Sequence, residues 1–292
     1  MKFPFRLTLS LLVSLSVIIS VNAYAQNLDS LTFSHAKWKK NAVAKKTKVY
    51  TYQFGDSSLF NANQYISFVE VKKHKKAPGF FIGYDSKELI KTSAFAQKYA
   101  ALAALNGTFF DIKNGGSVDF LKVNDTIINQ NREGKNRALH QKAAVTINNY
   151  TLDIKKWDGS AEWENNLTDK NIMLSGPLLI LNTENEKLDS VPFNKLRHPR
   201  SAIGIRPNGS VILLTVDGRQ QNSAGMSLFE LAKIMKWLGC TSAINLDGGG
   251  STTLWVHGYG ENGVVNYPSD NKKWDHEGER KVANVIFIKA KP

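Results

Sequence analysis

Apolar and polar positions alternate along much of the first third of the chain. Over residues 48–72 the alternation is clearest in Tyr65-Ile66-Ser67-Phe68-Val69-Glu70-Val71, with the period of two that lays every second side chain on one face of a strand. The period then lengthens. Ser86, with Glu88 behind it, fits a helix start, and Leu89, Ile90, Phe95, Ala96, Tyr99 and Ala100 supply an apolar face as far as Leu102. Residues 103–105 form a short apolar strand that runs into Asn106-Gly107-Thr108-Phe109-Phe110-Asp111. The same order recurs downstream: a strand over 210–216, a polar loop opened by Asp217-Gly218-Arg219, a helix capped by Ser227 through Leu238, and an apolar strand from Ser242 into Asn245-Leu246-Asp247-Gly248. Two strand-loop-helix-strand units with an Asn at matching ends suggest an internal duplication. Residues 117–171 predict short strands and turns that cover a site, and residues 281–288 a final strand in the main sheet. The fold class expected is α+β, a mixed, largely antiparallel curved sheet with two main helices.

The N-terminus carries a different signal. Lys2 and Arg6 precede an apolar run over residues 7–21, which ends in Ala23-Tyr24-Ala25, a small-x-small cleavage pattern. This is the design of a signal peptide, and roughly 15 residues fall short of the ~20 that span a bilayer. The expected organisation is a signal peptide at 1–25 and one domain at 26–292, secreted to the periplasm or beyond, with no stable membrane insertion after cleavage. Cys240 is the only cysteine, so no intramolecular disulfide supports the exported chain; at a helix end it fits a small buried hydrophobe. The formal net charge is +13, and +11 without Lys2 and Arg6, which favours anionic partners. Only Trp38 interrupts the early basic clusters, too little aromatic content for a single-strand-binding platform, and export also speaks against nucleic acid.

Candidate chemistry concentrates in the second half. Asp247-Gly248-Gly249-Gly250-Ser251-Thr252 places three glycines in a row, costly to order unless something approaches the backbone closely. Successive amides there could form an anion nest, with Ser251 and Thr252 adding hydroxyl donors; a tight glycine hairpin is the plainer alternative. No Lys follows the glycines, and residues 253–256 read as strand, so the run is not a nucleotide P-loop. Arg200 and Ser201 lead into a strand, and arginine suits phosphate oxygens. Asp217 and Arg219 lie at a strand end. Glu230 stands three residues beyond Ser227, which is also capping-box spacing. Asn106 and Asp111 at the end of the first unit would meet Asn245 and Asp247 if the duplication holds. Histidine spacing fits no metal motif, no cofactor is called for, and a divalent cation is left open.

Asn106-Gly107-Thr108-Phe109-Phe110, Ser175-Gly176-Pro177, Arg200-Ser201-Ala202-Ile203-Gly204, Val216-Asp217-Gly218-Arg219 and Asn245-Leu246-Asp247-Gly248-Gly249-Gly250-Ser251-Thr252 occur in the order found in phosphodiester glycosidases. Tyr267-Pro268-Ser269-Asp270 and Arg280-Lys281-Val282 resemble that family's closing segment. The resemblance extends over residues 48–289 and is sharpest from Arg200 onward. It implies that Arg200, Asp217, Glu230, Asp247 and Ser251 match active-site positions. Asp111, Ser201 and Arg219 depart from a lysosomal member of the family, which also has disulfides that this chain lacks.

The expectation is a hydrolase that releases a sugar from a sugar 1-phosphodiester in envelope or foreign glycans. Asp247, Glu230 and Asp217 are the catalytic candidates. Arg200, Ser201, Arg219, Asn106, Asp111, Asn245, Gly248, Gly249, Gly250, Ser251 and Thr252 are the substrate or phosphate ligands. The alternative is a non-catalytic binding protein for phosphorylated or acidic glycans.

Overall fold

The computed structural model describes residues 28–131 and 137–292; the expected signal peptide lies outside them. Four antiparallel sheets build the molecule. The largest has eight strands in the order Lys39–Ala44, Thr47–Leu59, Ala62–Val71, Val211–Val216, Arg200–Ile205, Ser242–Asn245, Leu178–Leu181 and Glu184–Asn185. Residues 121–175 supply a five-stranded sheet ordered Thr151–Lys156, Ala143–Asn148, Asn171–Ser175, Leu121–Val123, Thr126–Asn129. A four-stranded sheet runs Leu254–Val256, Ala103–Asn106, Asn284–Lys289, Gly79–Tyr84, and Lys281–Val282 pairs with Ile90–Lys91. The longest described helix is Leu228–Trp237; Thr92–Lys98 and residues 28–34 are shorter. The α+β class holds, with the strands divided among several sheets.

Alternation explains the layers. In Val211–Val216, the side chains of Ile212, Leu214 and Val216 join one apolar cluster with Leu228, Leu231 and Met235 of the long helix. Val211 and Leu213 point the other way, into a cluster shared with Leu105, Leu121, Val145 and Ile286 of the smaller sheets. The strand is therefore buried throughout and reads as a continuous apolar run. Gly204 makes the helix side fit: a Cβ there would stand 2.4 Å from Met235 Cε and 2.5 Å from Cys240 Sγ. Cys240 is buried, and burial pushes its thiol up to about 12, in keeping with a packing role.

Two sequence expectations need correction. The helix expected over 86–102 occupies only Thr92–Lys98. Asp85 Oδ1 accepts the amides of Lys87 (3.0 Å) and Glu88 (2.9 Å), which turns the chain, and the next residues are drawn into pairing with Lys281 and Val282. The closing strand is broken at Ala283 and enters the four-stranded sheet, between Ala103–Asn106 and Gly79–Tyr84, not the largest one. The two Asn-ending strands likewise lie in different sheets, although Leu105 and Ile244 meet in one core cluster. Among the described residues no helix is long and apolar enough to cross a membrane.

Strand direction positions the site. Arg200–Ile205 is antiparallel to both Val211–Val216 and Ser242–Asn245, so those two finish at the edge where Arg200 begins. Register carries Tyr65 and Lys39 to the same edge through Val216↔Ile66, Gln53↔Tyr65 and Lys39↔Thr51.

Candidate active site

At that edge the chain leaves Asn245 and enters the glycine run. Each glycine admits a different neighbour. A Cβ on Gly248 would stand 2.6 Å from the Pro199 carbonyl oxygen; on Gly249, 3.1 Å from Arg219 Nη2; on Gly250, 2.3 Å from Asp270 Oδ1 and 2.7 Å from Arg280 Nη2. Gly249 also has φ +62°, the left-handed region that glycine enters without a Cβ penalty. The run thus lets two guanidinium groups close on the backbone beside Asp247. It is less of an anion nest than the sequence suggests, because most of its amides are taken. Gly248 N–H donates to Asp247 Oδ1 (2.9 Å), Gly249 N–H to Pro199 O (2.9 Å), Ser251 N–H to Gly248 O (3.2 Å) and Thr252 N–H to Gly249 O (3.2 Å). Among the described residues only the Gly250 amide of this group has no acceptor.

Asp247 is half-buried, and burial pushes its carboxyl up to about 6 against the opposing pull of Ser251, the Gly248 amide and Arg280. Arg280 donates to Asp270 Oδ1 from Nε (3.0 Å) and Nη2 (2.5 Å). Arg219 is exposed, makes no ion pair among the described residues, and sits at φ +62°. That backbone conformation costs a non-glycine residue about 1–2 kcal/mol. The polar turn in which Gln220 and Ser223 exchange backbone hydrogen bonds holds it there.

Asn106 ties the loops together. Its Nδ2 donates to Asp247 O (2.7 Å), while its Oδ1 accepts Ser201 Oγ (2.6 Å) and Thr253 N–H (3.1 Å). Asn245 Nδ2 donates to Gly176 O (2.9 Å) and Leu246 O (2.7 Å). Buried nearby, Asn245 Oδ1 and the hydroxyls of Thr252, Thr253 and Ser269 have no hydrogen-bond partner among the described residues.

Other expected site residues are occupied with structure. Asp217 is buried: Oδ1 accepts Asn266 Nδ2 (2.7 Å) and Oδ2 the Tyr267 amide (2.9 Å). Burial drives it up to about 7 despite those two donors. Glu230 closes the capping box, accepting the Ser227 amide (2.8 Å) while its own amide donates to Ser227 Oγ (3.2 Å), and pairs with Arg197 Nη2 at 2.6 Å. Arg200, 1 % exposed, donates from Nε to Met226 O (2.9 Å) and from Nη2 to Phe193 O (2.6 Å) and Leu196 O (3.1 Å), with Phe193 under its guanidinium. Burial, and then Arg219, pull it down to about 10. Asp111 accepts the amides of Lys113 and Asn114 in a surface turn.

Sequence reasoning left out Asp270 and Arg280, although both lie in the closing segments that carried the resemblance. It also missed Asp119 and His140, paired at 2.6 Å with His140 against Phe109. No local spacing marks residues brought together from 21 positions apart. Among the described residues no three His, Cys, Asp or Glu side chains gather to hold a metal ion.

Residues 99–289, which include every part of this arrangement except the strands before them, match the family model of phosphodiester glycosidases. The chain belongs to that family. N-acetylglucosamine-1-phosphodiester alpha-N-acetylglucosaminidase of Mus musculus is 37% identical over 99 residues, 33% of this chain and 18% of the mouse protein. The SPbeta prophage-derived uncharacterized protein YomE of Bacillus subtilis (strain 168) is 31% identical over 118 residues, again 33% of this chain and 18% of that protein. These curated relatives are thus matched over less than a fifth of their length. The catalytic domain of the zebrafish N-acetylglucosamine-1-phosphodiester alpha-N-acetylglucosaminidase shares the fold, with a TM-score of 0.64 at 21% identity over 92% of this chain and 93% of that one. A hypothetical protein from Synechocystis does so with a TM-score of 0.64 at 15% identity, over 87% of this chain and 64% of that one.

Proposed function

We propose that this phosphodiester glycosidase family member is a secreted hydrolase, a domain at 26–292 behind a cleaved signal peptide, that releases the sugar from a sugar 1-phosphodiester in envelope or foreign glycans. The observation that carries the reading is the half-buried Asp247 carboxylate at the head of a glycine run on which two arginines close, Arg219 at Gly249 and Arg280 at Gly250. A phosphodiester needs its charge met more than its leaving group protonated, and the two guanidinium groups with the free Gly250 amide answer that need. Asp247 then takes the proton of the attacking water. The water oxygen bonds to the anomeric carbon, the bond from that carbon to the phosphate oxygen breaks, and the electron pair leaves on the phosphate. Asp217, Glu230 and Arg200 act as positioning residues: Asp217 fixes the 266–267 backbone, Glu230 the helix start and Arg197, and Arg200 the 193–196 carbonyls. Asp247 favours turnover over simple binding, since a carboxylate beside a phosphate costs a binding protein affinity.

The test incubates the purified protein with a panel of sugar 1-phosphodiesters in ¹⁸O-labelled water, with Asp247→Asn beside it. Free sugar carrying the label, and a rate lowered by about 10²–10⁴ in the variant, is the expected result. Label in the phosphate would move the cleavage to the P–O bond. Release from no donor, or a variant within tenfold of the parent, would overturn the reading.

A further inference from the structure

The strand ends that point away from Asp247 gather a second charged region. Val216 finishes at the edge of the reaction centre, and Val211, five residues earlier, lies about 17 Å from it along the strand. Val71 pairs with Val211 at this far end. Phe80 joins them from the four-stranded sheet, Lys291 from the chain behind it, and Tyr150 from the hairpin of the five-stranded sheet. Between them opens a cleft of about 250 Å³.

Four lysines line the cleft, Lys72, Lys73, Lys75 and Lys291, together with His74 and no acidic side chain. All four lysines are exposed, and among the described residues none of them forms an ion pair. Further along the strand that begins at Thr151 the protein does match its charges, Lys155 with Asp169 and Lys156 with Glu186. His74 Nδ1 accepts the Lys76 amide (3.1 Å), which leaves the ring N–H at Nε2 as a further donor.

The tyrosine is placed there at a cost. Asn149 and Tyr150 are the two central residues of the hairpin turn and both have positive φ, 47° and 63°. Glycine suits the second of these positions, and a ring-bearing residue is strained in it. The strained turn leaves the Tyr150 ring 39 % exposed and leaning on Phe81 at 5.2 Å between centroids. Gly79 makes the room, since a Cβ on it would stand 2.7 Å from Tyr150 Cβ. Gly209 does the same for Lys73, whose Cδ would lie 2.6 Å from a Cβ there.

We propose that this cleft is a second anion site, which holds a phosphate of a phosphorylated glycan chain while Tyr150 lies against the adjoining sugar. Its volume is below that of pockets that enclose a whole ligand, so it takes one charged unit of a longer chain. Unmatched lysines draw a polyanion, and an aromatic face beside them suits the C–H groups of a sugar. A single-stranded nucleic acid calls for a row of stacking rings, and a membrane surface for several exposed apolar side chains; Tyr150 is the only large exposed one in this lining. A chain held here would stay on the protein between cleavages at Asp247. That the anion is a glycan phosphate rests on the proposed hydrolysis, whereas the site itself does not.

Calorimetric titration tests it with a phosphorylated dextran, unmodified dextran, duplex DNA, and vesicles of equal parts phosphatidylcholine and phosphatidylglycerol. Asp247→Asn is the host protein, so that nothing is cleaved during the titration. Into it go Lys72→Ala with Lys75→Ala, Tyr150→Gly, which keeps the turn, and a control of equal charge loss elsewhere, Lys187→Ala with Lys236→Ala. The phosphorylated dextran should bind, and lose at least tenfold in affinity as salt rises from about 50 to about 200 mM. The Lys72 and Lys75 pair should cost at least tenfold, Tyr150→Gly at least threefold and the control pair less than threefold. With Asp247 restored, the Lys72 and Lys75 variant should release sugar from a small sugar 1-phosphodiester within threefold of the parent. The proposal is overturned if unmodified dextran binds as well, if Tyr150→Gly binds unchanged, or if the control pair costs as much, which would leave net charge alone. Equal or tighter binding of DNA or of the vesicles would overturn it in favour of those partners. Binding that behaves as expected while no donor releases sugar would remove the proposed hydrolysis and leave the second site standing.

Discussion

Replacing Asp217 by Asn probes what the buried carboxylate costs. In the folded protein its pKa rises from the ordinary 3.8 to about 7. A raised carboxyl pKa means that the folded state holds the proton more tightly than the unfolded chain does. Stability from this group is therefore highest below about pH 4, falls as the pH climbs towards 7, and is level above that. At about 1.36 kcal/mol per pH unit the fall comes to about 4 kcal/mol. The Asn variant removes this dependence but brings its own cost. Both Asp217 oxygens accept N–H groups, from Asn266 and Tyr267, and a carboxamide turns an N–H donor towards one of them. A buried donor facing a donor costs about 1–3 kcal/mol. Urea unfolding of parent and variant at pH 5 and pH 8 reads the balance. The variant should be the less stable of the two at pH 5 and equal to the parent or better at pH 8. A difference between them that stays constant between the two pH values would refute the argument, because it would mean that the Asp217 carboxylate is ionised in the folded state throughout.

Three further outcomes follow from the same geometry. As a base Asp247 must be ionised, so kcat/KM should rise with pH up to about 6 and level off above it; a profile flat from pH 4 to 8 would remove Asp247 from that role. Gly250→Ala would place a methyl 2.3 Å from Asp270 Oδ1, and because that neighbour is a side chain that can swing away, thermal unfolding should shift little while sugar release falls at least tenfold as Arg280 leaves its place. Glu230→Gln should lower stability by about 1 kcal/mol through the weakened cap and the lost Arg197 pair, with the rate held within about threefold; a hundredfold loss of rate would return Glu230 to the chemistry.

The strands on either side of the site were legible because their apolar content is continuous or alternating, as in Val211–Val216 and Ala62–Val71. The long helix was legible from its ends, since Ser227 and Glu230 announce a capping box that the structure forms. The helix expected over 86–102 failed where a local signal was overruled from a distance: Leu89 and Ile90 satisfy a helical period, yet Val282 and Lys281 claim the backbone of Ile90 and Lys91 for a sheet. The glycine run announced close approach, but sequence could not say by what. The answer, Arg219 and Arg280, comes from either side of it in the chain, at distances where no periodicity operates.

Asn106 has a bearing on how the protein comes into being. One carboxamide binds partners 95, 141 and 147 residues further along the chain. Bringing together chain ends so far apart costs about 4 kcal/mol of loop entropy per closure, and contacts of this span form late in folding. The sheets close over the same spans, Leu105 pairing with Leu254 and Phe68 with Leu214, so the sheets and the ties around Asp247 form together. During refolding from urea, circular dichroism and turnover should therefore recover in the same phase, and turnover that lags the sheets would separate the two. A nascent chain that has not yet delivered Thr253 lacks the last tie to Asn106, so the ground around Asp247 is complete only when nearly all of the chain has been made.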